Sequence, residues 1–208
     1  MIGDEPDPPY SRMALPYYLI NRIDESGTHL RKGADHYSQM RIDLRQGRVT
    51  KVDAAKRRLK LDAGTDITFD KLLIAAGSHP VRPPIPGMDL PGIHSCWTLA
   101  DGRNIAAQAG KGSKVVLMGA GFIGCIILEA LALRGVELTV IEMEDRMVPR
   151  MMNQTAGGMI KKWCEKKGVK VYTSTRVESI DKKGKGFTVR MNNGPDISAD
   201  VVITATGD

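Results

Sequence analysis

Cysteine is scarce in this 208-residue chain, and its three copies are too far apart to act together. Cys96, Cys125 and Cys164 make no CxxC pair and no zinc-ligand spacing, which excludes a dithiol motif and a structural zinc site. They read as structural thiols of a reducing compartment, and the chain is expected to be cytoplasmic. The opening residues Met1-Ile2-Gly3-Asp4-Glu5-Pro6 are not expected to act as a secretory leader, being acidic and carrying proline where a basic and then apolar segment would stand. Aromatic residues are few. Three Phe and two Trp leave little on which bases could stack, and the 30 Lys and Arg are interleaved with 24 Asp and Glu, so the net charge of +6 marks no nucleic-acid partner. No apolar run is long enough for a membrane span: the nearest, residues 115–133, has three glycines near its start and Glu129 inside it.

What the sequence does hold is a globular share of apolar residues, 42%, and one stretch in which several signals agree. Over residues 114–142 a β-branched run (Val115, Val116, Leu117) meets Gly119-Ala120-Gly121-Phe122-Ile123-Gly124. Apolar residues at helical spacing follow (Ile123, Ile126, Ile127, Ala130, Leu131), and a second strand-like run ends at Glu142. Strand, glycine turn, helix, strand and acid in this order form a dinucleotide fingerprint. Gly119 serves the tight turn, Gly121 the close approach of a pyrophosphate, and Gly124 the contact of helix with strand. The helix N-terminus at Phe122 and Ile123 offers N–H groups and a positive dipole to the phosphates. Glu142 is expected to accept the hydroxyls of the adenosine ribose and to repel a 2′-phosphate, which favours NADH over NADPH. The competing reading has Arg146 or Arg150 reaching such a phosphate.

Around this stretch the chain reads as an α/β protein. Residues 4–9 have loop composition, and Ser11 is a candidate cap for a short helix interrupted by Pro16. Short strands are predicted over residues 40–44, 48–52 and 59–61, and a buried strand over residues 70–77 is stopped by Gly77. Pro80, Pro83, Pro84 and Pro86 then force an extended connector. A helix is predicted over residues 98–109 with Thr98 as cap, and another over residues 153–167. A strand at 169–172 and a meander over 176–197 lead to a closing strand at 200–207. The runs DKLLIAAG (70–77) and DVVITATG (200–207) echo one another, which hints at two similar nucleotide folds in one chain.

Four segments, PYSR at 9–12, DKLLIAAGSHPVRPPIPG at 70–87, VVLMGAGFIG through VIEMEDRMVPR at 115–150, and DVVITATG at the end, resemble the FAD-dependent pyridine nucleotide-disulfide oxidoreductase superfamily. The likeness spans nearly the whole chain. It implies a Rossmann-like NAD-binding domain, a parallel sheet with a β-meander, inserted in a truncated FAD-binding α/β domain. The flavin portion with its proline-rich crossover is expected over residues 1–96, and the NAD-binding domain over residues 97–208. The resemblance also implies a chain that starts after the first βα unit of the flavin domain and stops before its remainder and an interface domain, the main source of a homodimer surface.

By resemblance, Met143 and Arg150 join the NAD contacts beside Glu142, and Ala205, Thr206 and Gly207 close that site. The flavin contacts would be Glu5, Arg12, Ala75, Ala76, Gly77 and Arg82. No cysteine precedes Cys96, so the thiol of the disulfide-reducing and peroxide-reducing branches has no counterpart, and the likeness narrows to the ferredoxin, rubredoxin and nitrite reductase flavin modules. Where the family carries Glu two residues after the third glycine, this chain has Ile126, with Glu129 one turn later. The expected function is part of an enzyme that passes hydride from NADH to FAD and electrons on to a ferredoxin, a rubredoxin or another metal-centre module. No side-chain acid, base or metal ligand is required, and none is assigned as catalytic. The other reading is a non-catalytic NAD-binding module or redox sensor without flavin.

Overall fold

The computed structural model describes residues 1–33 and 35–206. In chain order the elements begin with β1 (Ile2–Gly3), a 3-10 turn (Arg12–Ala14) that leads into α1 (Leu15–Leu19), α2 (Glu25–Thr28), α3 (His36–Gln39) and β2 (Arg45–Gln46). They continue with β3 (Val49–Asp53), β4 (Arg58–Leu61), β5 (Asp66–Thr68), β6 (Ile93–Ser95), α4 (Leu99–Gln108), β7 (Lys114–Met118), α5 (Phe122–Leu133) and β8 (Glu137–Ile141). The last are α6 (Gln154–Lys166), β9 (Lys170–Tyr172), β10 (Val177–Lys183), β11 (Gly186–Met191), β12 (Ile197–Ala199) and β13 (Val201–Thr204). Two compact units result, residues 1–11 with 29–78, and residues 12–28 with the chain from 79 onward.

In the first unit β1 pairs in parallel with β2, and β3, β4 and β5 form an antiparallel sheet. Leu59 and Leu61 are buried on alternate positions of β4, as the period of two requires. The strand predicted over residues 40–44 does not form. Instead α3 ends in a turn with Arg41 in the left-handed region (φ 56°), which breaks an extended run, and pairing starts only at Arg45. The buried strand predicted over residues 70–77 is also absent: the run is irregular, and Leu73 and Ile74 are 89% and 71% exposed. A strand is stabilised by its ladder partners, and among the described residues none pairs with this run.

The second unit is built on a five-stranded parallel sheet of order β6-β13-β7-β8-β9. β13 lies between neighbours, Val202 opposite both Ile93 of β6 and Val116 of β7, and all four of its residues are buried. That position explains its unbroken Val-Val-Ile run, since a parallel strand covered on both faces has no polar side to show. The antiparallel sheet β10-β11-β12 contributes Ile180, Phe187, Val189 and Met191 to a core with Val116, Met118, Ile141 and Val202. The short strand β6 was not predicted; its three residues follow Gly92 and carry His94 between Ile93 and Ser95, too mixed a pattern to stand out.

The helices α4 and α6 start where the sequence says. Thr98 caps α4 in a complete capping box, its hydroxyl accepting from the Asp101 N–H at 3.1 Å while the Asp101 carboxylate accepts from the Thr98 N–H at 2.9 Å. Asn153 caps α6, accepting from the Ala156 N–H at 2.9 Å. α1 differs from expectation: Pro16 stands in its first turn rather than interrupting it, because that position needs no N–H, and the cap is Ala14 rather than Ser11. Arg134, just after α5, donates to the carbonyls of Ala106 in α4 and of Ala109 just after it at 2.6 and 2.7 Å and to the Leu19 carbonyl of α1, joining three helix ends.

Candidate functional site

The site grows from the end of β7. Gly119 turns the chain at φ 97°, a conformation disfavoured for any residue with a Cβ, and a methyl there would lie 2.8 Å from the Ala205 carbonyl oxygen. Gly124 lets the first turn of α5 rest on that loop, since its missing methyl would lie 2.3 Å from the Gly119 carbonyl oxygen. Gly121 is different. A methyl on it would meet nothing within 4 Å, so its bare backbone faces open space at the N-terminus of a 12-residue helix, the side on which a diphosphate would approach. Phe122 and Ile123, 55% and 45% exposed, stand beside it in the first turn.

Glu142 follows β8 directly and is only 5% exposed. A buried carboxylate needs donors, and here two backbone groups supply them: Ala120 N–H donates to one oxygen at 2.6 Å and Glu144 N–H to the other at 2.9 Å. Its own backbone is fixed as well, N–H to the Tyr172 carbonyl and C=O from the Thr175 N–H. The acid therefore reaches back across the sheet edge to the glycine loop, with its orientation set before any ligand arrives.

The other expected NAD positions lie nearby or beyond. Met143, next in the chain, is 60% exposed, and Arg150 is also exposed. Ala205 leaves β13 and donates its N–H to the Met118 carbonyl at 2.8 Å, which puts it against the glycine turn. The Thr206 hydroxyl donates to the Val81 carbonyl at 3.0 Å. Gly207 lies outside the described residues. Of the two competing phosphate ligands, Arg146 is engaged on its own loop, donating to the Met152 and Pro149 carbonyls at 2.8 and 3.1 Å and pairing with Asp145 at 2.6 Å, whereas Arg150 is exposed. On α5, Ile126 is half-buried and Glu129 exposed.

The expected flavin positions are not gathered within one unit. Glu5 accepts from the Tyr10 hydroxyl in the first unit, and Ala75, Ala76 and Gly77 are exposed there in irregular chain. In the second unit Arg12 stacks over the Trp97 ring, 4.8 Å from its centre, and Arg82 donates to the Met88 carbonyl at 3.2 Å. None of these contacts identifies a flavin cradle. The residues of the second unit have the geometry of a dinucleotide site, with an open glycine at a helix N-terminus and a preset acid one strand away.

Sequence reasoning missed three residues of this neighbourhood. Ala120 works through its main chain, and Val148 adopts a left-handed backbone, neither of which side-chain type reveals. Gly157 was findable, because paired glycines inside a helix signal close packing; a methyl on it would lie 2.7 Å from the Met147 carbonyl oxygen.

Sheet, glycine turn and acid together define an α/β protein of the kind that binds dinucleotides. The chain belongs to the pyridine nucleotide-disulphide oxidoreductase family, which matches residues 1–208. It is 34% identical over 212 residues to the ferredoxin–NAD(+) reductase component of the anthranilate 1,2-dioxygenase system of Burkholderia cepacia, covering all of this chain and 51% of that protein. It is 32% identical over 210 residues to rhodocoxin reductase of Rhodococcus erythropolis, covering all of this chain and 49% of that one. Among solved structures, the NAD-dependent persulfide reductase from A. fulgidus superposes with a TM-score of 0.91 at 30% identity, over 99% of this chain and 40% of that one. The chain thus spans about half the length of the curated relatives it matches.

Proposed function

We propose that the second unit is the NADH-binding part of an FAD-dependent oxidoreductase that hands electrons to a separate acceptor. The single observation that carries the reading is Glu142, a buried carboxylate fixed by the glycine loop itself. With Ala120 and Glu144 holding it, the acid keeps lone pairs for ribose hydroxyls and opposes the charge of a 2′-phosphate. Arg146 supports the same preference, because three of its donors are already engaged. Gly119, Gly121, Phe122, Ile123 and Gly124 would hold the diphosphate, and Met143 and Arg150 would flank the adenosine, with Ala205, Thr206 and Gly207 at the far rim. FAD, when bound, would supply the redox chemistry that links a two-electron donor to the acceptor. Its expected contacts, Glu5, Arg12, Ala75, Ala76, Gly77 and Arg82, rest on the family resemblance, as do a Rossmann-like domain inserted in a flavin domain and a ferredoxin or rubredoxin as acceptor. The Burkholderia and Rhodococcus relatives, both reductases by name, support that class of acceptor.

The test is a fluorescence titration with each nucleotide, together with an absorbance spectrum. NADH is expected to bind at least about tenfold more tightly than NADPH, and Glu142→Ala to weaken NADH by about tenfold. NADPH binding the tighter of the two would overturn the assignment. A second reading, a flavin-free NAD module, is favoured by Ile126 at the place where the family carries Glu. Flavin absorbance near one per chain would eliminate it, and a colourless protein that binds NADH would establish it.

A further inference from the structure

Val148 has the least expected backbone near the site. It is a β-branched residue at φ 51°, where the side chain crowds its own carbonyl, and it is 6% exposed. A residue that only filled the core would do so from an extended or helical backbone. The left-handed turn lets one residue serve two directions. Its N–H donates to the Ala120 carbonyl at 2.8 Å, and its own carbonyl accepts from the Met151 and Met152 N–H groups at 3.1 and 2.9 Å.

Ala120 is thereby held at both ends of its residue, with its carbonyl on Val148 and its N–H on the Glu142 carboxylate at 2.6 Å. The same segment is also pressed by α6 at Gly157, where a methyl would lie 2.7 Å from the Met147 carbonyl oxygen and 2.9 Å from the Arg146 Cβ. Met147 between them is fully buried. The segment from Glu142 to Met152 is therefore closed both on the glycine loop and on α6. Strain of this kind persists only where the surroundings over-determine it.

We propose that Val148 is a positioning residue for dinucleotide binding: its left-handed backbone locks Ala120, and through Ala120 sets the carboxylate of Glu142 toward the ribose. The inference rests on the NADH reading of the same site. The test compares Val148→Gly, which keeps the N–H but frees the backbone of any Cβ restriction, with Val148→Ala, which removes the same branched methyls and keeps the Cβ. Gly157→Ala presses the same segment from α6.

Two readouts are taken on the full chain, the affinities for NADH and NADPH, and hydrogen exchange of peptides covering residues 119–124 and 142–152. Val148→Gly is expected to weaken NADH about tenfold and to narrow its advantage over NADPH, while Val148→Ala stays within about twofold of the parent. Exchange should quicken in both peptides of Val148→Gly, since the lock joins them, and in both peptides of Gly157→Ala. Quickening confined to residues 142–152, with nucleotide affinities unchanged, would overturn the proposal. If the parent chain binds neither nucleotide, the NADH reading fails by itself. The exchange comparison then decides the lock: joint quickening upholds the coupling of Val148 to the glycine loop, and separate quickening ends it.

Discussion

Burial pushes the thiol of Cys96 up to about 12, with the nearby Asp101 carboxylate adding to the shift. The thiol of Cys125 goes up to about 11, again through burial first and then through Cys164 and Glu142. A thiol so raised is protonated at neutral pH and is a poor nucleophile, even directly after a glycine turn at a helix N-terminus. Alkylation of Cys125 should be slow at pH 7 and rise about tenfold per pH unit until the pH nears that raised pKa, as iodoacetamide labelling followed by mass spectrometry will show. Rapid labelling at neutral pH would contradict the burial argument. The same shift has a consequence for stability. A folded pKa above the ordinary 9.0 means that the native state holds its proton longer than the unfolded chain, so the contribution is full below pH 9 and is lost as pH climbs toward 11. Cys125→Ala should therefore flatten part of the fall in melting temperature across that alkaline range. Glu142 makes the complementary point at the same scale. Its position after the second strand was legible from spacing alone, but its donors were not, because backbone N–H groups carry no residue code.

At the scale of elements, the two echoing runs teach what a sequence pattern can and cannot decide. DVVITATG became β13, four buried residues between two parallel neighbours, whereas DKLLIAAG stayed irregular with Leu73 and Ile74 in solvent. Apolar composition announces a candidate strand, but ladder partners make one, and the partner of a strand is a non-local fact. Helices were more legible because their signals are local: the Thr98 box, the Asn153 cap and the glycine after the last lysines all stand within a turn of the ends they mark. What could not be read was the joint among α1, α4 and α5 at Arg134. Its guanidinium satisfies helix-end carbonyls that would otherwise lack donors, at Ala106, Ala109 and Leu19. Arg134→Ala should cost about 2 kcal/mol, counted as partly buried charged hydrogen bonds, and lower the urea midpoint without changing the slope. Arg134→Lys should recover little, since one ammonium cannot span three separated carbonyls. Full recovery by Lys would show that charge rather than the planar fork holds the joint.

At the scale of the molecule, the chain order and the compact units disagree in an instructive way. Residues 12–28 precede the exposed run around Lys71, yet belong with the unit that follows it. Their attachment is specific: Leu15 and Leu19 are buried, a methyl on Gly102 of α4 would lie 3.2 Å from the Leu15 side chain, and the Glu25 carboxylate takes two guanidinium donors of Arg103 at 2.8 and 2.6 Å. Brief trypsin treatment should cut first after Lys71, which stands in an unbroken exposed run from Asp70 to His79 outside any helix or ladder. The nicked protein is then expected to migrate as one species in native size exclusion and as two bands under denaturing conditions, because the excised piece remains docked through α1 and α2. Every residue assigned to the adenosine and diphosphate lies after the cut, so the affinity for NADH should survive it. Separation of the pieces at micromolar concentration would mean that α1 and α2 bind too weakly to be part of the second unit. Loss of NADH affinity with the pieces still together would mean that the nucleotide site draws on the continuity of residues 70–84, against the placement of the site on β7, α5 and β8 alone.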